Sequence, residues 1–289
     1  MNSLLKVLPQ MSKYNDYIFN VKKGTNPIML SGLTDTGKVH MAYSTRFYTE
    51  KPICIITYNE LQAKKIIKDL AFFGETVRMF PKRDIVSFDY IAESKDTLYK
   101  RISVLNNIVK KQNKIVVTTI EAAMQKMIKK ESLYKHVLSL KVGETFDLET
   151  LKEKLVLLGY ERYDLIEGKG QFSVRGGIVD IATSKTHGVR IEFWGDEIDS
   201  IRNFSIASQR TTEMLKNVDI FPSYEFLLET DVDTICDRIA SRSYHASVRE
   251  KVDEDIVEIK NGNFLNKIDK YFNEFYAETD TLLDYITDD

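Results

Sequence analysis

At 289 residues, 43% of them hydrophobic and 29% charged, the chain is long enough for two domains with cores of their own and has the make-up of an ordinary globular protein. Its opening, MNSLLKVLPQMSKYNDY, offers one short apolar turn interrupted by Pro9. That is too little for a signal peptide or a spanning helix, so a cytoplasmic protein without membrane contact is expected. Two cysteines, Cys54 and Cys236, neither frame a disulfide network nor supply a metal site, and both are expected as buried filler. The net charge of -2 conceals a split, because residues 229–289 carry 16 acidic against 7 basic side chains while residues 1–228 hold 34 basic and 27 acidic. Such a basic stretch with an acidic tail either meets nucleic acid or is neutralised within one fold; sparse aromatic interleaving favours the second.

The first part alternates strand and helix. Residues 27–31 read as a short apolar strand, 37–48 as a helix, 52–57 as a strand, 60–73 as an amphipathic helix and 77–80 as another short strand. Ser94 is placed to cap a helix in which Leu98, Ile102, Leu105 and Val109 recur at helical spacing, and 114–118 is a buried-type strand. Strands separated by helices imply a parallel sheet with both faces covered. After Glu121 the expectation is a basic helix to Lys130, a hinge-like Lys141-Val142-Gly143 and a helix over 147–158 capped by Asp147.

The stretch GQFSVRGGIVDIATSKTHGVRIEFWGDEIDSIRNFSIASQR, residues 170–210, reads as a meander. Runs at 170–174, 177–181, 189–194 and 199–204 are rich in β-branched and aromatic residues and are split by glycine-bearing turns, so the strands are antiparallel. Polar and apolar residues alternate in Arg190-Ile191-Glu192-Phe193, which leaves one face wet and open to a partner. Beyond it, 218–222 reads as a buried strand, Asp253-Glu254-Asp255 as a solvated helix face, and Leu265, Ile268, Phe272 and Phe275 as an apolar stripe.

Gly32-Leu33-Thr34-Asp35-Thr36-Gly37-Lys38-Val39 has the frame of a phosphate-binding loop, in which Gly32 and Gly37 admit backbone N–H groups to phosphates and Lys38 reaches the terminal ones. The eighth position fails, because Val39 has no hydroxyl for a magnesium ion. Two readings stay open: a degenerate nucleotide site, or a tight turn that merely uses glycine. No catalytic residue and no metal ligand is expected.

Tyr160, Arg162 and Asp164, then Gly170, Phe172, Val174, Arg175, Gly176, Ile178, Asp180 and Ile181, then Arg190 through Arg202, together resemble a domain shared by the repair subunit UvrB and the bacterial transcription-repair coupling factors. Ser208-Gln209-Arg210-Thr211 and the tail from Phe275 to Tyr285 are similar to the coupling factors in particular. The resemblance implies an α/β protein. A degenerate RecA-like, P-loop-related parallel-sheet lobe would be built from 1–125 and 206–289, with an inserted α+β domain over 126–205 that docks on UvrA through its antiparallel sheet. It implies UvrA-binding roles for Arg162, Phe172 and Arg175, while Ser173 stands where UvrB has a further arginine; spacing alone equally allows Arg162 and Arg175 to do no more than pair with nearby acids such as Asp164, Glu167 or Asp180. It also implies a recruitment module that needs no cofactor of its own. RNA polymerase, double-stranded DNA and Mg-ATP would be handled by other parts of the parent protein, an ATP-driven DNA translocase. The rival is an autonomous ATP-dependent repair helicase or UvrB-type damage-verification protein, which DNA-stimulated ATP turnover would reveal; the short 80–94 stretch, with only Phe88 and Tyr90 aromatic after Phe80, weakens the UvrB reading.

Overall fold

The computed structural model describes residues 5–74, 77–83, 95–112, 115–262, 267–268 and 270–287. Two compact units emerge: Met1–Lys82 with Ser103–Gln125 and Tyr285–Asp289, and Arg83–Ile102 with Lys126–Asp284. Residues 83–102 thus group with 126–284, and the chain crosses between the units at 82/83, 102/103, 125/126 and 284/285.

In the first unit α1 (Ser12–Lys23) packs on α2 (Asp35–Thr49), followed by β1 (Ile53–Thr57), α3 (Glu60–Ala71), β2 (Arg78–Phe80) and β3 (Ile115–Thr119). The helix α4 (Lys95–Val109), of which residues 103–109 belong to this unit, precedes β3, and the one-turn α5 (Ile120–Ala123) follows it. The sheet is parallel in the order β1-β3-β2, as alternation with helices dictates. Val39, Tyr43, Ala63, Leu70, Ile115 and Val117 form its core. Sequence periodicity missed α1, whose apolar face is made of tyrosines: Tyr14 is buried with its hydroxyl 2.5 Å from Ser44 Oγ, and the Tyr17 hydroxyl lies 2.9 Å from Thr45 Oγ1. The helix stops at Gly24 in the left-handed conformation, φ 80°.

Residues 27–31 are not a strand. Met29 is 90% exposed and Leu30 is also exposed, so an apolar run opening on Pro27, which has no N–H to donate, finds no ladder to join. The expected basic helix to Lys130 is also absent. It is cut to α5, after which Met127 makes an isolated bridge with Asp280 and α6 (Lys130–Lys135) starts afresh, its Lys130 amide donating to Asp280 Oδ2. Ser94, Phe88, Tyr90 and Leu265 lie outside the described residues.

The second unit is built on a six-stranded sheet, β10-β9-β8-β7-β6-β5, antiparallel except for the parallel β5–β6 pair. Its strands are β5 (Glu161–Arg162), β6 (Gln171–Arg175), β7 (Ile178–Ile181), β8 (His187–Trp194), β9 (Glu197–Ser205) and β10 (Thr211–Leu215). The expected meander is thus its centre. Ahead of it run β4 (Leu138–Lys141) and α7 (Leu148–Leu157), and β4 pairs antiparallel with β11 (Asn217–Ile220) in a separate two-stranded sheet. Asp147 caps α7 by accepting from the Thr150 amide at 2.7 Å. One face of the large sheet, with Phe172, Val179, Ile181, Val189, Ile191 and Ile201, packs on Leu151 and Leu155 of α7 and on Leu140 and Ile220.

Gln209, which the resemblance marks, and Gly188, in an expected turn, both have local structural work. Gln209 adopts φ 56° in the turn between β9 and β10, and its side-chain amide donates to the carbonyls of Ile206 and Ile166. A Cβ on Gly188 would lie 2.6 Å from the Phe204 ring and 2.7 Å from the Ile181 carbonyl, so only glycine lets β8 pass there. Helices α8 (Val232–Ser241) and α9 (Ala246–Lys260) pack together, followed by the short α10 (Phe272–Phe275) and α11 (Leu282–Thr287). Ile268, Phe272 and Phe275 are buried as expected. Asp253 and Glu254 are exposed, but Asp255 is not part of a solvated face: it is 1% exposed, ion-paired with Lys267 at 2.9 Å and with Lys270, and accepts from the Tyr271 hydroxyl at 2.7 Å.

Candidate functional site

Strand alternation assigns every residue of the six-stranded sheet to one of two faces. Phe172 and Val174 point into the core, so Gln171, Ser173 and Arg175 point the other way. The pairing register continues that outer face as two rows across the strands: Ser173, Asp180, Arg190, Arg202 and Met214 in one, and Arg175, Ile178, Glu192 and Ser200 in the other.

Asp180 is the hub of the first row. It is 1% exposed, accepts from Arg190 Nε at 2.6 Å and Nη2 at 2.9 Å, and reaches across to Arg175 Nη2 at 2.7 Å. Arg190 lies over the Phe204 ring, 5.0 Å from its centroid. Arg202 pairs with Glu192 at 2.5 Å, and Ser200 donates to the same carboxylate. The outer face is therefore a ladder of guanidinium and carboxylate groups whose members hold one another in place.

Of the expected contact residues, Arg175 sits on this face with its side chain 49% exposed. One edge of its guanidinium is taken by Asp180 and the remainder is open to a partner. Arg162 is exposed on the edge strand β5, beside Phe172 in register, which puts it on the opposite side from Arg175 at the far end of β6. The two arginines do not share a row. Phe172 is 1% exposed and lies in the core, where it carries the strand and cannot touch a partner. The Asp180–Arg190 and Glu192–Arg202 pairs were not singled out from sequence; their signal was the alternation in Arg190-Ile191-Glu192-Phe193, which fixes the face but not the partner.

The glycine loop of the first unit has another character. Gly32 has φ 76°, and Thr34 caps α2 by accepting from the Gly37 amide at 3.1 Å, so one N–H that a phosphate would need already has a protein acceptor. Lys38 turns back on Asp35 at 3.5 Å, and Asp35 also binds Lys65 at 3.0 Å; hydrogen bonding and charge from Lys65, then Lys38, hold that carboxyl below its ordinary value. Val39 is 2% exposed and packs in the core. These residues do not fit a magnesium nucleotide: the hydroxyl is missing, and the side chain in its place points away from the loop. Lys38 also borders a groove of about 520 Å3 with Tyr17, Leu33 and Met41. Cys54, in β1, is half-buried rather than filler of a sealed core, and burial pushes its thiol up to about 11. Cys236 is buried. Among the described residues no group of three or more His, Cys, Asp or Glu could hold a metal ion, and no helix is long and apolar enough to cross a membrane.

Comparison with known proteins converges on the sheet just described. Residues 138–226 match the UvrB interaction domain. The whole chain aligns with the transcription-repair-coupling factor of Bacillus subtilis (strain 168) at 27% identity, covering 26% of that protein. With the factor of Staphylococcus aureus (strain USA300) it is 27% identical over 89% of the chain and 22% of the relative. With that of strain MRSA252 it is 26% identical over the same shares. The chain thus spans about a quarter of the length of the curated relatives it matches. Residues 138–226 are thus similar to the UvrB interaction domain, and the chain as a whole is similar to about one quarter of each transcription-repair-coupling factor it matches.

Proposed function

We propose that this chain is the amino-terminal recruitment module of a transcription-repair coupling factor, which brings UvrA to a stalled RNA polymerase so that nucleotide-excision repair begins there. The observation that carries the reading is the outer face of the six-stranded sheet, where the buried Asp180 holds Arg175 half-exposed. Guanidinium groups so fixed lose little freedom on pairing with a partner's carboxylates, and arginine is enriched among residues that dominate binding. Arg162 supplies a second, separate contact at the β5 edge. The first unit is a degenerate RecA-like lobe, supported by its parallel β1-β3-β2 sheet and by Val39 in the magnesium position. It is not a motor by itself and needs no cofactor; polymerase binding and ATP-driven movement on double-stranded DNA belong to other parts of the parent, in the cytoplasm.

Calorimetric titration of UvrA into the chain and its Arg162→Ala and Arg175→Ala forms tests this. Each truncation is expected to cost about 2 kcal/mol or more, roughly a 30-fold loss of affinity. Undiminished affinity in both folded variants would remove the assignment.

A further inference from the structure

The chain has one tryptophan, and it is 84% exposed. Trp194 makes no ring contact or hydrogen bond through its side chain among the described residues. Single exposed apolar side chains are ordinary on a protein surface, but tryptophan is enriched where proteins meet. Its placement says where the meeting occurs.

Trp194 ends β8, two residues beyond Glu192, so alternation sets it on the outer face with Arg190 and Glu192. The Phe193 amide donates to the Gly177 carbonyl at 2.8 Å, and a Cβ on Gly177 would stand 2.8 Å from the Phe193 carbonyl oxygen. That close backbone approach ties Trp194 to the Gly176-Gly177 turn that directly follows Arg175. The ring and the half-exposed guanidinium therefore stand at the same end of the same face.

The turn that carries the ring is braced. Gly195 takes φ 61° to close it, the Phe146 amide donates to the Asp196 carbonyl at 2.7 Å, and Gly143 and Glu144 exchange backbone hydrogen bonds with Ile198 at 2.8 and 2.9 Å. A side chain offered from a fixed hairpin tip loses little backbone freedom when it is buried by a partner.

We infer that Trp194 is the apolar anchor of the docking patch, entering a recess on UvrA while Arg175 beside it pairs with a carboxylate at the rim of that recess. The inference rests on the UvrA reading and deepens it: UvrA is the occupant because the patch is continuous with the Arg175 face, and its chemistry asks for an apolar pocket bordered by acid. Met214, 65% exposed in the other row of the same face, marks the patch's far edge.

The test uses the intact chain with its single tryptophan replaced by 5-hydroxytryptophan, whose emission can be excited apart from the tryptophans of UvrA, together with unlabelled Trp194→Ala and Trp194→Phe. On titration with UvrA the label's emission should shift to the blue. Trp194→Ala should bind at least tenfold more weakly, and Trp194→Phe should recover much of that loss because a ring is restored. The exposure of Trp194 makes misfolding of these variants unexpected, and circular dichroism checks it. Unchanged emission with full affinity in Trp194→Ala overturns the anchor while leaving the UvrA reading in place. A Trp194→Ala effect confined to self-association of the chain also overturns it. Failure of the unaltered chain to bind UvrA removes both.

Discussion

Glu225→Ala is expected to destabilise the second unit by about 3–5 kcal/mol, the largest effect of any single substitution considered for this chain. Glu225 has no exposed surface and is held by Arg101 Nε at 2.6 Å, Arg101 Nη2 at 3.1 Å and Arg83 Nη1 at 3.3 Å. Arg101 is itself fully buried, and Arg83 lies 4.8 Å from the Phe226 ring centroid and 5.5 Å from that of Phe272. Removing a carboxylate that two buried guanidinium groups share strips each of a close counter-charge where little water can replace it, which is why the loss greatly exceeds that of an exposed ion pair. Urea unfolding followed by circular dichroism would measure it; a change under about 1 kcal/mol would show that water reaches the site.

The same group sets an acid limit. Burial alone would raise the Glu225 carboxyl, but the charges of Arg101 and then Arg83 outweigh it and hold the carboxyl below its ordinary value of 4.5. Asp255 moves the same way, burial being outweighed by its bonds to Lys270, Lys267 and Tyr271. A carboxylate depressed in the folded state contributes stability that is fully present above its unfolded value and lost as pH falls through the folded one. Stability should therefore hold at neutral pH and decline below about pH 4.5, and the decline should be shallower in Glu225→Gln, which no longer titrates.

Asp180→Ala is expected to cost about 3 kcal/mol, and to weaken UvrA binding as well. It removes the carboxylate that pairs with both Arg175 and Arg190, and the Arg190 side chain, 17% exposed, cannot simply turn to water. The effect on binding runs through Arg175, so the two losses separate in a double-mutant cycle. Asp180→Asn keeps the shape of the side chain and is the milder variant for the binding arm. In an Arg175→Ala background it should leave UvrA affinity unchanged, whereas in the unaltered chain it should reduce it. An equal reduction in both backgrounds would mean that Asp180 supports the sheet generally and does not position Arg175.

How much of this was legible in the sequence depended on whether the signal was local. The central strands were readable because Arg190-Ile191-Glu192-Phe193 and its neighbours alternate strictly, and the Asp147 cap because a single side chain bonds an amide three residues on. Strands β4 and β5 were missed because they are short and carry little pattern: β4 pairs with β11, far along the chain, and β5 has two residues. Residues 27–31 misled because an apolar run signals burial only where something covers it, and Met29 is left bare. The candidate site was half visible. Arg175 could be placed on the outer face by counting from Phe172, whereas the contact role of Phe172 came from the resemblance alone, and its burial in the core sets it among the residues that support the face. The buried grip of Arg101 on Glu225, 124 residues apart, left no trace in spacing.

Hydroxyl-radical footprinting of the chain with and without UvrA measures the location of docking directly, because reactive side chains are distributed over both units. Trp194 and Met214, exposed on the outer face, should become protected when UvrA binds, while Met29 and Phe72, 90% and 78% exposed in the first unit, should react as before. Protection of Met29 and Phe72 with Trp194 and Met214 unchanged would contradict the claim that the outer face of the six-stranded sheet is what meets UvrA.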